Sequence, residues 1–233
     1  MARIYSFTFN LFSEHTYILE GEGGECVIID PGCSGDSERR ELTEHLSSHC
    51  IRPVAILLTH GHADHVYGVK ALQDSYGIPV YMSPDDQVEL DGNERMAARF
   101  GMEAPDCSFS VTGISDGEVL HLAGMDIEVI TTPGHTIGCA CFLLRSAAVM
   151  FTGDTLFAGA IGRTDMGSGD YDKEIVSIME KLILLDGDIT IYPGHGGSST
   201  IAHERTHNPF LEPFNEPEET FDPDLEGISI NGR

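Results

Sequence analysis

Apolar residues along this chain fall into short blocks with two different spacings. Residues 1–9 alternate between polar and apolar side chains, which is typical of a strand with one buried face. The run Val54-Ala55-Ile56-Leu57-Leu58 is apolar throughout, which is typical of a strand buried on both faces. Similar runs predict further strands at residues 17–19, at residues 26–32 and directly before the glycines at 134, 153 and 194.

Segments with helical spacing lie between these strands. Apolar residues recur on one helical face in the segments 37–50, 66–76 and 171–185. The segment Pro84–Pro105 is rich in charge and carries Met96, Phe100 and Met102. It predicts a helical excursion that either overhangs a functional site or is an ordinary solvated helix. The alternation of strands and helices predicts an α/β fold.

Length and composition indicate one folded domain followed by an acidic tail. The chain has 233 residues, of which 41% are hydrophobic, and this is enough to bury a substantial core. After Pro213 the sequence becomes acidic and rich in proline. We therefore expect a single domain over residues 1–211 and a loose tail over residues 212–233.

The charge balance argues against nucleic acid as a partner. Thirteen Lys and Arg residues against 38 Asp and Glu residues give a formal net charge of −25, whereas nucleic-acid binding needs clustered basic residues. No segment approaches the roughly 20 apolar residues of a membrane span, and the N terminus lacks the apolar stretch of a signal peptide. We expect a monomer or small homo-oligomer that binds neither nucleic acid nor membrane.

The six cysteines include no C-x-x-C pair, so neither a zinc ribbon nor a redox motif is predicted. Cys139 and Cys141 lie two apart on a predicted strand, where they share a face and are poorly placed for a disulfide. We expect all six to be small, reduced core residues of a cytoplasmic protein.

The densest cluster of reactive side chains directly follows the strand at 54–58. Thr59-His60-Gly61-His62-Ala63-Asp64-His65 places three imidazoles and a carboxylate in one loop, beyond the carboxyl end of a strand, where α/β proteins usually bind ligands. These groups suit zinc, iron or manganese, and the absence of a thiolate disfavours a structural zinc site. The alternative is a solvated polar loop, which so many ligand-type residues disfavour.

Three later segments also run from a strand into a glycine turn that carries one ligand-type residue. They supply His135, Asp154 and His195. Alone, each would be an ordinary turn residue. With the loop at 59–65 they make seven candidate ligands, too many for one tetrahedral metal and suited to two metals that share a carboxylate.

These motifs resemble those of the metallo-β-lactamase superfamily, and within it the glyoxalase II group of thioester hydrolases, the hydroxyacylglutathione hydrolases. The resemblance rests on T-H-x-H-x-D-H at 59–65, P-G-H-T at 133–136, G-D-T-L-F at 153–157, G-R-T-D at 162–165 and P-G-H-G at 193–196. It covers the chain from about residue 28 to residue 210 and implies a single-domain αββα sandwich. The chain is similar to the short form, without the C-terminal helical domain that contacts glutathione.

The resemblance also implies roles for the candidate ligands. The expected cofactors are two divalent ions, zinc first, with iron or manganese as alternatives. One metal would be held by His60, His62 and His135, the other by Asp64, His65 and His195, and Asp154 would bridge them. A hydroxide held between the metals would attack a thioester carbonyl, and Asp64 would steer or accept its proton.

Arg163 is the expected substrate contact. The G-R-T-D segment follows the bridging segment, where glyoxalase II places a basic anchor for the glycine carboxylate of glutathione, and an arginine fork suits a carboxylate. Alternatively, Arg163 pairs with Asp165 or Asp170 and only braces its loop. The segment after His195 lacks the tyrosine of the long glyoxalase II chains, so a small-molecule thioester, such as a glutathione conjugate, is expected without strict preference.

Other functions remain open. A persulfide dioxygenase shares the scaffold and uses one iron, although that family tends to show G-D-A-L and P-A-H-D-Y where this chain has G-D-T-L-F and P-G-H-G. A metal-binding or sensor protein without turnover would retain the same ligands. A β-lactamase is disfavoured, because the Asp64 ligand set and the G-R-T-D segment indicate the thioester branch.

Overall fold

The computed structural model describes residues 2–214 as two six-stranded sheets that pack face to face, with helices on both outer sides. The strands are β1 (Arg3–Phe9), β2 (Glu14–Glu20), β3 (Glu25–Ile29), β4 (Arg52–Leu57), β5 (Val80–Met82), β6 (Val111–Gly113), β7 (Val119–Leu122), β8 (Met125–Thr131), β9 (Ala140–Leu144), β10 (Val149–Gly153), β11 (Leu156–Phe157), β12 (Ala160–Ile161), β13 (Thr190–Pro193) and β14 (Ser199–Thr200). The α-helices are α1 (Gly35–Ser48), α2 (Ala63–Val66), α3 (Val69–Tyr76), α4 (Gln87–Phe100), α5 (Tyr171–Ser177) and α6 (Ile201–His207). Short 3₁₀ segments cover Glu22–Gly24, Pro84–Asp86, Arg145–Ala147 and Pro209–Phe214, and a π-helical turn covers Ile178–Leu182.

The strand directions bring several carboxyl ends to one region. The first sheet has the order β1-β2-β3-β4-β5-β6, in which β3 and β4 are parallel. The second has the order β14-β13-β10-β9-β8-β7. Strands β8 and β10 are both antiparallel to β9, and β13 is parallel to β10, so all three point the same way.

Hydrogen bonds join the sheets at this edge. The Tyr17 hydroxyl donates to the Pro193 carbonyl at 2.6 Å, and the Ala140 N–H donates to the Thr59 carbonyl at 2.8 Å. Strand β2 is thereby held to the end of β13, and the loop after β4 is held to the start of β9.

The core has three layers, as an αββα sandwich requires. One lies between the first sheet and its helices, one between the sheets, and one between the second sheet and the late helices. Strand β4 contributes to two of them: Ile56 packs toward the helices, and Ala55 and Leu57 pack toward the other sheet. The predicted fold class, and the prediction that this strand is buried on both faces, are confirmed.

Two predicted helices differ from the expected ones. The helix predicted over 66–76 is interrupted between α2 and α3 at Gly68, whose backbone is so close to Cys33 that an added Cβ would lie 2.3 Å from its Sγ. The helix predicted over 171–185 changes to a π-helical turn, in which the Ile183 N–H donates to the Ile178 carbonyl at 2.9 Å. Close packing against Cys33 accounts for the first departure.

The cysteines are all free, and the prediction that they are core residues holds for four of them. Cys26, Cys33, Cys139 and Cys141 are buried. Cys107 is partly exposed, and Cys50 is exposed in the turn after α1, where its backbone is left-handed (φ 56°).

Part of the predicted tail, 212–233, lies outside the described residues, since the description ends at 214. Among residues 2–214, no helix is both long and apolar enough to cross a membrane.

Candidate metal centre

The predicted ligands follow four strands, with Asp64 and His65 in the short helix α2, and the fold brings all seven together. His60, His62, Asp64 and His65 lie between β4 and the end of α2, and His135 lies between β8 and β9. Asp154 directly follows β10, and His195 follows β13. The turn after β10 depends on Gly153, which has a left-handed backbone (φ 48°) and whose added Cβ would lie 2.3 Å from Thr59 Oγ1.

His60, His62 and His135 form the first group of candidate ligands. One nitrogen from each ring lies within 4.8 Å of the others. Nε2 of His135 is 2.9 Å from Nδ1 of His62, and each pair of rings meets nearly edge to face. Three imidazole nitrogens that converge in this way form a suitable face for a divalent metal.

Asp64, His65 and His195 form the second group, with ligand atoms that also lie within 4.8 Å of one another. Oδ2 of Asp64 is 3.3 Å from Nε2 of His195 and 3.8 Å from Nε2 of His65. These are the two groups that the resemblance assigned to separate metals.

Asp154 lies between the two groups. Its Oδ1 is 3.4 Å from Nε2 of His65, and its Oδ2 is 3.6 Å from Nε2 of His135 and 3.5 Å from Nε2 of His195. One carboxylate oxygen thus faces the second group alone and the other faces both, as a bridging carboxylate would.

The opposite nitrogen of each histidine lies near a protein oxygen that orients its ring. These contacts are His60 Nδ1 to Thr59 Oγ1 at 3.1 Å, His62 Nε2 to Glu89 Oε2 at 3.5 Å, His65 Nδ1 to Asp30 Oδ2 at 3.0 Å, His135 Nδ1 to the Arg163 carbonyl at 2.7 Å and His195 Nδ1 to the Phe12 carbonyl at 3.1 Å. Each contact leaves the other ring nitrogen directed into the centre, the arrangement that metal-ligating histidines usually show.

Several buried polar atoms in the centre support a metal site. Nε2 of His60, Nε2 of His65 and Oδ1 of Asp154 are buried and have no hydrogen-bond partner among the described residues. Buried polar atoms are normally paired, because an unpaired one costs free energy. These three are nitrogen and oxygen donors of the kind that divalent metals bind, so the residues fit the ions that the resemblance implies.

The pKa values of three of these side chains favour their ligand forms, whereas the nearby carboxylates of Asp154 and Asp64 outweigh burial and raise the pKa values of His65 and His195. Burial, reinforced by neighbouring histidines, lowers the pKa of His60 well below its ordinary value. Burial also lowers the pKa of His135, to about 4. Burial alone would raise the pKa of Asp154, but His65 and other histidines outweigh it and hold that pKa well below its ordinary value. Neutral imidazoles and an ionised carboxylate are the forms that bind metal.

Sequence reasoning missed three buried carboxylates around the centre. Asp30 accepts from the Thr59 N–H at 2.7 Å and the Thr59 hydroxyl at 2.5 Å, besides contacting His65. Glu89 contacts His62 and accepts from Ser168, and Glu174 accepts from the His135 N–H at 2.8 Å. Asp30 had a usable signal, because Ile28-Ile29-Asp30-Pro31-Gly32 also runs from a strand into a glycine turn.

Arg163 lies at the rim of the centre and is paired. Its Nε donates to Asp165 Oδ1 at 2.8 Å and an Nη donates to Asp165 Oδ2 at 3.0 Å. Both side chains are largely exposed. The pairing with Asp165 is what the loop-bracing alternative predicts. The guanidinium also lies at the cavity rim, where a substrate contact requires it.

A cavity of about 520 Å³ opens above the centre. Met96, Ala97 and Phe100 of helix α4, together with Met102, form part of its wall. The predicted excursion at 84–105 therefore does overhang the site.

Comparison with known proteins agrees with the fold. Residues 10–195 match the family described as the Metallo-beta-lactamase superfamily. The hydroxyacylglutathione hydrolase GloC of Haemophilus influenzae is 37% identical over 206 residues, which are 86% of this chain and 93% of that protein.

Two solved structures are similar across nearly the whole domain. The BLEG-1 B3 metallo-beta-lactamase has a TM-score of 0.81 and 31% identity, over 90% of this chain and 99% of that one. TTHA1623 in a di-iron-bound form has a TM-score of 0.80 and 32% identity, over 89% of this chain and 100% of that one.

Proposed function

The chain belongs to the metallo-beta-lactamase superfamily, and from that premise we propose that it is a binuclear metallohydrolase that cleaves thioesters of the hydroxyacylglutathione type. The proposed substrate is a small-molecule thioester in the cytoplasm. The seven proposed ligands are the three residues of each group together with Asp154, which lies between the groups.

The position of Asp154 is the observation that carries this proposal. Its two oxygens lie 3.4 to 3.6 Å from His65, His135 and His195, which belong to different groups. A carboxylate shared by two ligand sets is the usual construction of a two-metal hydrolytic site. A single metal would leave one complete group without a role.

The chemistry follows from the groups around the centre. Two divalent ions bound there would supply a nucleophilic water at neutral pH and polarise the carbonyl that it attacks. Asp64 faces the cavity, and its contacts with His65 and His195 outweigh burial and hold its pKa below the ordinary value. It is therefore ionised at neutral pH, as a metal ligand must be, and in this proposal it also steers the proton of the water.

A thioester suits this centre because its leaving group needs little help. Thiols have a pKa near 8.5, so a thiolate can depart with little protonation. The 37% identity to GloC of Haemophilus influenzae supports the same substrate class. The site does not require a serine or cysteine nucleophile.

The similarity to the BLEG-1 B3 metallo-beta-lactamase gives a second candidate, β-lactam hydrolysis by the same centre. It differs from the first in substrate rather than in metal chemistry. The one-iron persulfide dioxygenase is the third reaction to test.

The test combines metal analysis with three assays on one preparation. We expect close to two metal ions per chain and hydrolysis of S-lactoylglutathione, with little turnover of the β-lactam nitrocefin or oxygen consumption with glutathione persulfide. A stoichiometry of one iron with oxygen consumption on the persulfide would overturn the proposal. Faster hydrolysis of nitrocefin than of S-lactoylglutathione would favour the second candidate, β-lactam hydrolysis.

A further inference from the structure

The cavity above the candidate metal centre has an ionisable floor and apolar walls. Its volume of about 520 Å³ lies in the range of small-molecule sites. Five of the proposed ligands form the floor. The walls include three phenylalanines and three methionines: Phe12, Phe100, Phe157, Met96, Met102 and Met166.

Phe12 and Phe100 form an aromatic pair at this wall. They come from different elements, the turn between β1 and β2 and the last residue of α4. Their rings are 5.8 Å apart and nearly perpendicular, a favourable aromatic geometry. Both stay partly exposed, at 40% and 48%. Apolar surface left open beside a site indicates contact with a ligand.

The Phe12 side of the wall is fixed relative to the centre. The Asn10 amide donates to the carbonyls of Gly32 at 3.0 Å and Asp64 at 2.9 Å, and its Oδ1 accepts from the Phe12 N–H at 3.0 Å. The Phe12 carbonyl lies 3.1 Å from His195 Nδ1. Because the wall is organised before binding, little ordering cost opposes the burial of an apolar group against it.

The polar side chains of the wall are already paired. The Tyr67 hydroxyl donates to the Glu103 carbonyl at 2.8 Å, and Arg163 is held by Asp165. Among the described residues above the floor, these are the two polar side chains that line the cavity. A site that selects a hydroxyl normally supplies a hydrogen-bonding partner for it. Of the described side chains above the floor, only the Tyr67 oxygen and the remaining N–H groups of Arg163 at the rim could pair with a hydroxyl, and the rest of the wall is apolar.

From this lining we infer that the preferred acyl group is an apolar aliphatic chain rather than a short hydroxyacyl group, with Phe12, Phe100 and Met166 as its specificity wall. The inference rests on the proposed thioester hydrolysis and narrows its substrate: S-lactoylglutathione would be hydrolysed, but less efficiently than a thioester with a longer aliphatic acyl group. Methionine side chains are flexible and adapt to a flexible chain. The carboxylate of a thiol carrier would lie at the rim, beside Arg163.

The first test uses a thioester series on one neutral carrier, N-acetylcysteamine, so that Arg163 does not contribute. The acyl groups are acetyl, butanoyl, hexanoyl, octanoyl and lactoyl. We expect kcat/KM to rise about fourfold per added methylene until the cavity is filled, with lactoyl near acetyl. Hydrolysis without a chain-length dependence, or a preference for lactoyl over hexanoyl, would overturn the inference and leave thioester hydrolysis standing.

Two variants test whether Phe100 belongs to the specificity wall. Phe100→Ala should lower kcat/KM for the hexanoyl thioester at least tenfold, with the metal content unchanged. Leu184→Ala removes an apolar side chain that is 76% exposed and does not line the cavity, and it should have no such effect. Equal losses in the two variants would contradict the assignment.

Binding gives a readout that does not depend on hydrolysis. S-hexyl-N-acetylcysteamine, a thioether that cannot be cleaved, should bind the metal-loaded protein at least tenfold more tightly than its S-methyl analogue in calorimetry, with a more negative heat-capacity change. If no thioester is hydrolysed but this difference is found, the proposed reaction fails and the apolar specificity stands. Equal affinities would overturn the specificity itself.

Discussion

Nδ1 of His65 lies 3.0 Å from Oδ2 of Asp30, although the two residues are 35 positions apart in the sequence. Asp30 directly follows β3, and its backbone has a left-handed conformation (φ 45°) that is uncommon for a residue other than glycine. Its carboxylate also binds the backbone and the hydroxyl of Thr59. One buried side chain therefore holds both the histidine and the start of the ligand loop.

Asp30→Asn should weaken metal binding about ten- to a hundredfold, which is typical when a residue that orients a ligand is lost. Asparagine keeps the shape of the aspartate side chain. It carries no negative charge, however, and has one accepting oxygen for three donors: the Thr59 N–H, the Thr59 hydroxyl and His65 Nδ1. Competition with a chelator measures the affinity.

The matched control for this variant is Asp126→Asn. Asp126 contacts His121 Nδ1 at 2.6 Å, but both side chains are more than three-quarters exposed. This substitution should leave metal affinity unchanged. An Asp30→Asn protein with wild-type affinity would show that the contact with His65 is incidental.

Gly194→Ala should reduce metal content strongly in a protein that still folds. An added Cβ would lie 2.3 Å from Asp154 Oδ1 and 2.6 Å from His65 Cε1, so both proposed ligands must move. Gly197→Ala, three residues later, meets no atom within 4 Å and serves as the control. Metal analysis after gel filtration compares the two, and equal metal content would contradict the prediction.

Arg163→Ala should raise KM for a carboxylate-bearing thioester about ten- to a hundredfold, with little change for a neutral one. The metal content should not change. The physical reason is that a chain with a net charge of −25 repels an anion, so a local cation has to attract it.

Asp165→Asn separates this role from loop bracing. It should release the guanidinium from its partner and lower KM for the same charged thioester. If Arg163 only braces the loop, both substitutions break the same contact and should impair charged and neutral thioesters alike. Steady-state kinetics on the two substrates decides between these outcomes.

Asp154→Ala should lose organised metal binding and nearly all turnover, whereas Cys139→Ala and Cys141→Ala should retain both. Burial raises the pKa of the Cys139 thiol well above its ordinary value and that of Cys141 to about 12, so neither supplies a thiolate near neutral pH. We expect each cysteine variant to lose about 1 kcal/mol of stability, measured by denaturant unfolding. A folded, metal-loaded cysteine variant without activity would contradict the hydrolytic mechanism.

The sequence by itself determined the fold class and the identity of the clustered residues. His60, His62, Asp64 and His65 are so close in the chain that one loop must carry all four. His135, Asp154 and His195 each follow an apolar run, and a strand delivers the residue after it to the edge of its sheet. These are local properties, so spacing and residue type were sufficient.

Only the tertiary structure decided what surrounds those residues. The carboxylates of Asp30 and Glu89 reach their histidines across 35 and 27 positions of sequence, and no local pattern specifies such a pairing. The same holds for Phe12 and Phe100, which meet over the cavity because a hairpin turn and a helix end are packed together. Contacts of this kind depend on how the two sheets and their helices pack, which distant segments of the chain decide jointly.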